Sequence, residues 1–260
     1  MYLPLKKRFQ SITNKIWTFS AVGLLLVLWQ AVCSLGLVDS FMLPSPVQVI
    51  KALIAEAPAL AEHCTVTLSE AGAGLFCGVA TGFIIAVIMD RFEPLYKAFY
   101  PIIVLTQTVP TVAIAPLLVL SFGYEMMPKI ILITLTTFFP IAVGLLDGFR
   151  STDPDSVNLL RAMGAGNGQV FFHIKLPASL PRFFSGLKIS ASYAVVGAVI
   201  AEWLGGFGGL GVYMTRVRKA YAFDKMFAVI ILISVISLIL MKLVDFLHKK
   251  STPWERSQKE

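Results

Sequence analysis

Long uncharged stretches alternate with short charged ones along this chain. Residues 16–38, 71–89, 98–124, 130–146, 189–201 and 226–241 contain no Asp, Glu, Lys or Arg. A helix needs about 20 apolar residues to cross ~30 Å of hydrocarbon. The first three stretches reach or nearly reach that length unaided. The others reach it with one charged residue near an end, where Lys can snorkel and Glu can face protein. The pattern predicts an all-α integral membrane protein with six transmembrane helices, near 16–38, 66–90, 98–121, 129–147, 183–204 and 226–247. The segments between them predict two further helices. Val47, Ile50, Leu53 and Ile54 recur at helical spacing, so Val47 to about Ala61 is expected to lie along the membrane surface. Residues 148–182 are too long for a simple hairpin, and long connections tend to be functional.

Composition agrees with the pattern. The chain has 260 residues, 57% hydrophobic and 14% charged, with mean hydropathy +0.78. Soluble domains carry about 25% charged residues, so a soluble enzyme is disfavoured. Disorder, which needs low hydrophobicity and high charge, is excluded. The net charge of +7 is mainly a topology signal. With a cytoplasmic N-terminus, sixteen of the 22 Lys and Arg residues fall on inner segments and six on outer ones. By the positive-inside rule both termini are then cytoplasmic. The weak point is 205–225, which puts Arg216, Arg218, Lys219 and Lys225 outside. Nucleic acid is not an expected partner; membrane lipid is. The organisation reads as a cytoplasmic tail at 1–15, a transmembrane body at 16–247 with the inner loop 148–182, and a cytoplasmic tail at 248–260. The first apolar run is too long for a signal peptide and no A-x-A site follows it.

Most catalytic patterns fail. Gly206-Phe207-Gly208-Gly209-Leu210-Gly211 has the spacing G-x-G-x-x-G, but it follows a membrane helix rather than a strand, so it is not a dinucleotide fingerprint. There is no phosphate loop, no H-E-x-x-H and no G-x-S-x-G. Cys33, Cys64 and Cys77 are too few and scattered for a disulfide framework or zinc site. His63, His173 and His248 are isolated, so no metal site is expected. Gly74, Gly78 and Gly82 make one flat helix face suited to close packing. Pro101, Pro110 and Pro116 free backbone carbonyls in the third span, either where it lines a pathway or where it is merely kinked. Gln107, Thr108 and Thr111 surround Pro110, and Ser190, Ser192 and Tyr193 lie in the fifth span. These polar groups are either pathway contacts or helix–helix hydrogen bonds. Glu70 and Glu202 are the acidic residues nearest the outer boundary. Glu202 either orients the outer mouth or bonds a helix end or Arg216.

The inner loop runs from Asp153 to Pro177. Asp153 or Asp155 can cap a helix carrying Val157, Leu160 and Arg161, and Gly164 can end it. Leu159, Leu160 and Met163 form an exposed apolar side, which needs a partner. Gly164 is followed by nine residues and then Ile174-Lys175-Leu176-Pro177. This spacing resembles the E-A-A–x3–G–x9–I-x-L-P signature of the membrane subunits of bacterial ABC importers. The E-A-A triplet itself is replaced by Asn158-Leu159-Leu160. The resemblance covers nearly the whole chain. Leu43-Pro44-Ser45-Pro46, Thr106-Gln107-Thr108-Val109-Pro110, Ala115-Pro116-Leu117, Phe122-Gly123, Phe139-Pro140, Gly148-Phe149-Arg150-Ser151, Ala201-Glu202-Trp203 and Gly209-Leu210-Gly211 are similar to its taurine, sulfonate, nitrate and thiamine-precursor branch. The stretches around Gln107, Asp147 and Glu202 look most like permeases for aminopyrimidine precursors of thiamine.

The resemblance implies a MetI-like permease fold with a cytoplasmic coupling helix, in the cell inner or plasma membrane. It implies no enzymatic activity or cofactor in this chain. ATP and Mg would belong to a partner ABC ATPase subunit, present in two copies. Further implied partners are an extracytoplasmic solute-binding protein and a second permease chain, giving a homodimer. Leu160, Arg161, Ala162, Met163, Gly164, Ala165, Leu176 and Pro177 would couple to the ATPase. Gln107, Thr108, Pro110, Thr111, Ser192, Tyr193 and Glu202 are the candidate pathway residues. An ion-coupled secondary transporter is the competing class, but neither inverted repeats nor mid-membrane ionisable residues are evident.

Overall fold

The computed structural model describes residues 3–254, with side chains described from Trp17 onward. Lys6, Lys7, Arg8, Lys15, Arg256 and Lys259, which entered the orientation count, have side chains outside the described residues, as do residues 255–260 of the expected C-terminal tail. Among the described residues every regular element is helical. In chain order they are α1 (Leu3–Ser34), α2 (Pro46–Ala55), α3 (Ala57–Arg91), α4 (Glu93–Thr106), α5 (Thr111–Phe122), α6 (Met126–Arg150), α7 (Pro154–Ala162), α8 (Asn167–Val170), α9 (Leu176–Leu204), α10 (Leu210–Lys219) and α11 (Phe223–Ser251).

Among the described residues, four helical stretches are long and apolar enough to span a membrane: α3, α6, the continuous run Asn167–Leu204, and α11. The third expected span is not one helix. It is α4 and α5, bent by 94° across a short break. The cause lies at Pro110, which has no N–H to continue a helix and pushes Val109 out of the helical region. Pro101 and Pro116 stay inside α4 and α5. Counting the bent pair as one span gives five. The described apolar part of α1, Phe19–Ser34, is shorter than the other spans, so six spans are not established by length. The expected surface helix also ends earlier, at Ala55, and α3 starts at Ala57. Its start is sharply defined. Ser45 Oγ accepts from Gln48 N–H, and Gln48 Oε1 accepts from Ser45 N–H, a reciprocal capping box.

The described residues fall into two compact units. One holds residues up to Ala59 together with Arg216–Ile231. Its core is Val49, Ala52 and Ala228, with Trp29, Leu53 and Phe227 against them. Val47, Ile50 and Ile54 face outward, and an ion pair joins Lys225 to Glu56.

The larger unit holds Leu60–Thr215 and the chain from Leu232 onward. Its centre is α6, whose Ile141, Ala142, Leu145, Leu146 and Phe149 are fully buried. The Gly74, Gly78 and Gly82 face of α3 lies directly on α6. A Cβ at Gly78 would collide with the Thr137 side chain, and one at Gly82 with the Phe138 carbonyl. This is the close approach that small residues permit between membrane helices. Helix α9 crosses α6 on another side. There Ser190 Oγ donates to Thr137 O at 2.7 Å, and Arg182 donates to the Asp147 carbonyl. Both bonds tie a side chain of α9 to the backbone of α6.

Candidate functional site

Three features of the larger unit carry chemistry: a projecting loop at one end, a buried polar knot at the other, and a groove between them.

The loop starts at Ser151. Asp153 caps α7, accepting from the N–H of Asp155 at 3.1 Å and of Ser156 at 3.2 Å, and from Ser156 Oγ at 2.7 Å. These bonds hold the exposed Asp153 carboxyl below the usual carboxylate range, the Ser156 hydroxyl contributing most. Gly164 ends the turn at φ +89°, a conformation that favours glycine. Both features match the expected capped helix. Helix α7 buries no residue. Leu159 is 65% exposed and Met163 74%, while Leu160 is half-buried. Arg161, Ala162 and Gly164 are exposed and Ala165 half-buried.

The fifth span was expected near 183–204, but its helix starts well before that. Helix α8 runs through a π-helical turn, Phe171–Lys175, straight into α9. Ile174 and Lys175 belong to that turn, and Leu176 and Pro177 open α9. Because the run is continuous, Pro177 lies inside it and supplies no N–H to the preceding turn. Lys175 Nζ bonds both Asp90 carboxylate oxygens at 2.8 Å, fixing this junction to the end of α3. A cavity of about 520 Å³ opens beside it, lined by Arg91, Arg161, Asn167 and Lys175 among others.

At the opposite end, Glu202 is 2% exposed. Its carboxylate accepts from Thr67 Oγ1 at 2.7 Å and from the Gly211 N–H. Thr67 Oγ1 in turn accepts from Leu210 N–H at 2.8 Å. Glu202 thus caps the N-terminus of α10, where a negative charge is favoured. Of the readings open in the sequence, this geometry is the bond to a helix end. Gly209 shows why glycine is needed here. Its φ is +113°, and a Cβ would occupy the place of the Glu202 carboxylate. Gly209 N–H also donates to His63 Nδ1 at 3.1 Å. Beside Glu202, Glu70 pairs with Lys129 at 2.5 Å, both almost fully buried. In sequence Glu70 and Lys129 are only the ends of two uncharged stretches, so their pairing was not foreseen. Nor was Thr67, which stands between two other hydroxyl residues, Thr65 and Ser69, with nothing to set it apart.

The groove lies at the break between α4 and α5. Gln107, Val109, Pro110, Thr111, Thr136, Tyr193, Val196, Gly197 and Ile200 enclose about 340 Å³. Of the expected pathway residues it gathers Gln107, Pro110, Thr111 and Tyr193. Thr108 and Ser192 are not in its lining. Thr108 Oγ1 bonds back to Leu105 O at 2.8 Å, and Ser192 is half-buried. Glu202 sits in the knot instead. Thr136 joins the groove without having been singled out. Its hydroxyl donates to Ile133 O at 2.8 Å, which leaves its lone pairs as acceptors.

Comparison with known proteins fits this arrangement. Residues 78–253 match the family described as binding-protein-dependent transport system inner membrane component. The chain is 38% identical over 226 residues to a probable ABC transporter permease protein of Haemophilus influenzae, covering 87% of this chain and 92% of that one. It is 31% identical over 255 residues to the formylaminopyrimidine transport permease protein ThiX of Halalkalibacterium halodurans, covering 98% and 100%. It is 29% identical over 238 residues to the putative aliphatic sulfonates transport permease protein SsuC of Bacillus subtilis, covering 90% and 86%. In fold it is similar to a chain of the inward-facing MetNI methionine ABC transporter, with TM-score 0.64 at 19% identity over 72% of this chain and 93% of that one.

Proposed function

The chain belongs to the family of binding-protein-dependent transport system inner membrane components, and from that premise we propose that it forms the solute path of an ATP-driven importer for an aminopyrimidine precursor of thiamine. The carrying observation is α7. It buries nothing of its own and presents Leu159 and Met163 to water, which an isolated helix does not sustain without a partner. An ATPase groove is that partner. Leu160, Arg161, Ala162, Met163, Gly164 and Ala165 form the contact, and Leu176 and Pro177 pass its movement to α9. ATP and Mg2+ bind the ATPase pair, not this chain.

Two copies of the chain face each other across the path, with both termini on the cytoplasmic side. In this reading residues 16–247 are the translocating body, 148–182 the coupling segment, and 1–15 and 248–260 the tails. Closure of the two ATPases on ATP draws the two α7 helices together and opens the path towards an extracytoplasmic binding protein. The driving force is the higher ATP affinity of the closed state. Similarity to the formylaminopyrimidine permease over the full length of both chains supports the substrate. The sulfonate relative at 29% supports a second reading, in which the cargo is a sulfonate such as taurine, with nitrate and flavins in the same branch.

Uptake of labelled 4-amino-5-hydroxymethyl-2-methylpyrimidine and its formylated aminomethyl analogue, with and without the gene, tests the substrate. Lost pyrimidine uptake with intact taurine uptake is expected. Unchanged pyrimidine uptake in a host without a redundant importer overturns it. Docking is tested by copurification: Gly164→Asp and Arg161→Glu are expected to release the ATPase, and normal copurification of both removes the α7 contact.

A further inference from the structure

The groove at the α4–α5 break is polar without being charged. Its lining offers the Gln107 amide, the Thr111 and Thr136 hydroxyls and the Tyr193 ring, set beside Val196 and Ile200. None of its lining residues is Asp, Glu, Lys, Arg or His. The buried ion pair Glu70–Lys129 belongs to the knot at one end of the bundle, and the pair Asp90–Lys175 to the other end. A solute in the groove therefore meets hydrogen-bonding groups and an aromatic ring but no counter-ion.

The bend adds to this. The first N–H groups of α5 have no partner within their own helix, whereas the last carbonyls of α4 are largely taken, Val104 O by the Gln107 N–H and Leu105 O by the Thr108 N–H and hydroxyl. A helix N-terminus alone favours anions. Here the C-terminal end of α4, of opposite dipole sign, is separated from it only by residues 107–110 and offsets that preference. Thr136 contributes an acceptor, since its proton is committed to Ile133 O. Gln107 contributes one donor edge and one acceptor edge. The volume of about 340 Å³ is at the small end of the ~300–1,000 Å³ of ordinary ligand sites. A second cavity of about 190 Å³ shares Gln107, Val109, Thr111 and Thr136, so space continues through the break.

Building on the importer reading above, we infer that this groove is a contact site within the chain for an uncharged flat heterocycle with neighbouring hydrogen-bond donors and acceptors, the aminopyrimidine class, and that it discriminates against sulfonate and nitrate. Gln107 pairs with the donor–acceptor edge of the ring, Tyr193 lies against its face, and the threonines complete the polar contacts. An anion here would give up its hydration and gain no opposite charge. The chain then adds its own selection to that of the binding protein.

The test uses the complete transporter, with ATPase and binding protein, in proteoliposomes. Uptake of labelled hydroxymethyl-aminopyrimidine is measured at saturating loaded binding protein. Gln107→Leu and Tyr193→Leu are each expected to lower the uptake rate at least tenfold. Assembly of the complex and ATP hydrolysis without solute should be unchanged, and Tyr193→Phe should retain most uptake. Gln107→Arg is expected to shift the ratio of sulfonate to pyrimidine uptake towards the sulfonate. Wild-type pyrimidine uptake that survives both leucine variants overturns the contact site and leaves the substrate standing. A wild-type transporter that carries taurine but no pyrimidine overturns both.

Discussion

The hydroxyl of Thr67 and the carboxylate of Glu202 meet at 2.7 Å, although 135 positions separate them in the chain. The same hydroxyl receives the Leu210 N–H, and the same carboxylate receives the Gly211 N–H. One bond network therefore fastens α3, the end of α9 and the start of α10. Glu202→Ala leaves the buried Gly211 N–H without its acceptor, worth roughly 1–3 kcal/mol when unsatisfied, while the Thr67 hydroxyl falls back on the His63 carbonyl. The expected result is faster hydrogen exchange at the amides of Leu210 to Tyr213, with exchange elsewhere in α6 unchanged. Equal protection in the variant removes this role for Glu202.

Glu70 and Lys129 form a buried pair whose net worth is small but whose disruption is costly. Lys129→Met strands the Glu70 carboxylate, at an expected cost of about 3–5 kcal/mol. The double variant Glu70→Gln with Lys129→Met is expected to recover much of that loss. Thermal unfolding of the purified protein in detergent, followed by size exclusion, measures both. A double variant as unstable as the single one contradicts the pairing argument.

Gly78 permits α3 and α6 to touch. Gly78→Val places methyl groups where the Thr137 side chain stands, and overpacking costs about 1–3 kcal/mol. Gly72, with open space around its missing Cβ, is the control: Gly72→Ala should leave the unfolding midpoint unchanged or slightly raised. Similar effects of both substitutions would contradict the close crossing at Gly78.

The Asp153 cap makes a prediction about acid. Its folded-state carboxyl titrates lower than in an unfolded chain, so its contribution is complete above the ordinary value, about 3.9. It is lost as pH falls through the lowered folded value. Helix α7 is therefore expected to keep its exchange protection at neutral and mildly acid pH and to lose it only below about pH 4. Asp153→Ala should show the frayed state already at pH 7. Identical protection in wild type and variant at neutral pH would contradict the cap.

Sequence alone reveals the spans because burial in lipid leaves long uncharged runs, and it reveals α7 because Asp153 and Gly164 are strong local stop signals. The glycine face of α3 is equally visible, since its spacing has one geometric meaning. The break at Pro110 is misread because Pro101 and Pro116 carry the same local signal and stay helical. What separates them is the tertiary support around each proline, which no local pattern contains. The knot is hidden for a related reason. Thr67, Glu70, Lys129 and Glu202 come from three helices, and only the crossings of those helices bring them together. The groove is half legible: Gln107, Thr111 and Tyr193 stand out as polar groups in apolar runs, whereas Thr136 resembles its neighbours Thr134 and Thr137.

The π-helical turn at Phe171–Lys175 joins the loop helix to α9 without interruption, giving one helical rod of 38 residues, Asn167–Leu204. At 1.5 Å per residue this is roughly 57 Å long. Its start lies beside α7, Tyr193 lies past its midpoint, and its far end carries Glu202. It is not a uniform rod: the π-helical turn, Pro177 and Pro181 each interrupt the regular α-helical hydrogen bonds on the loop side of Gly186, the places where such a helix bends. The tight Gly186 crossing over the Pro140 carbonyl holds the stretch beyond these points against α6, so the give in this helix is concentrated between the loop and that crossing.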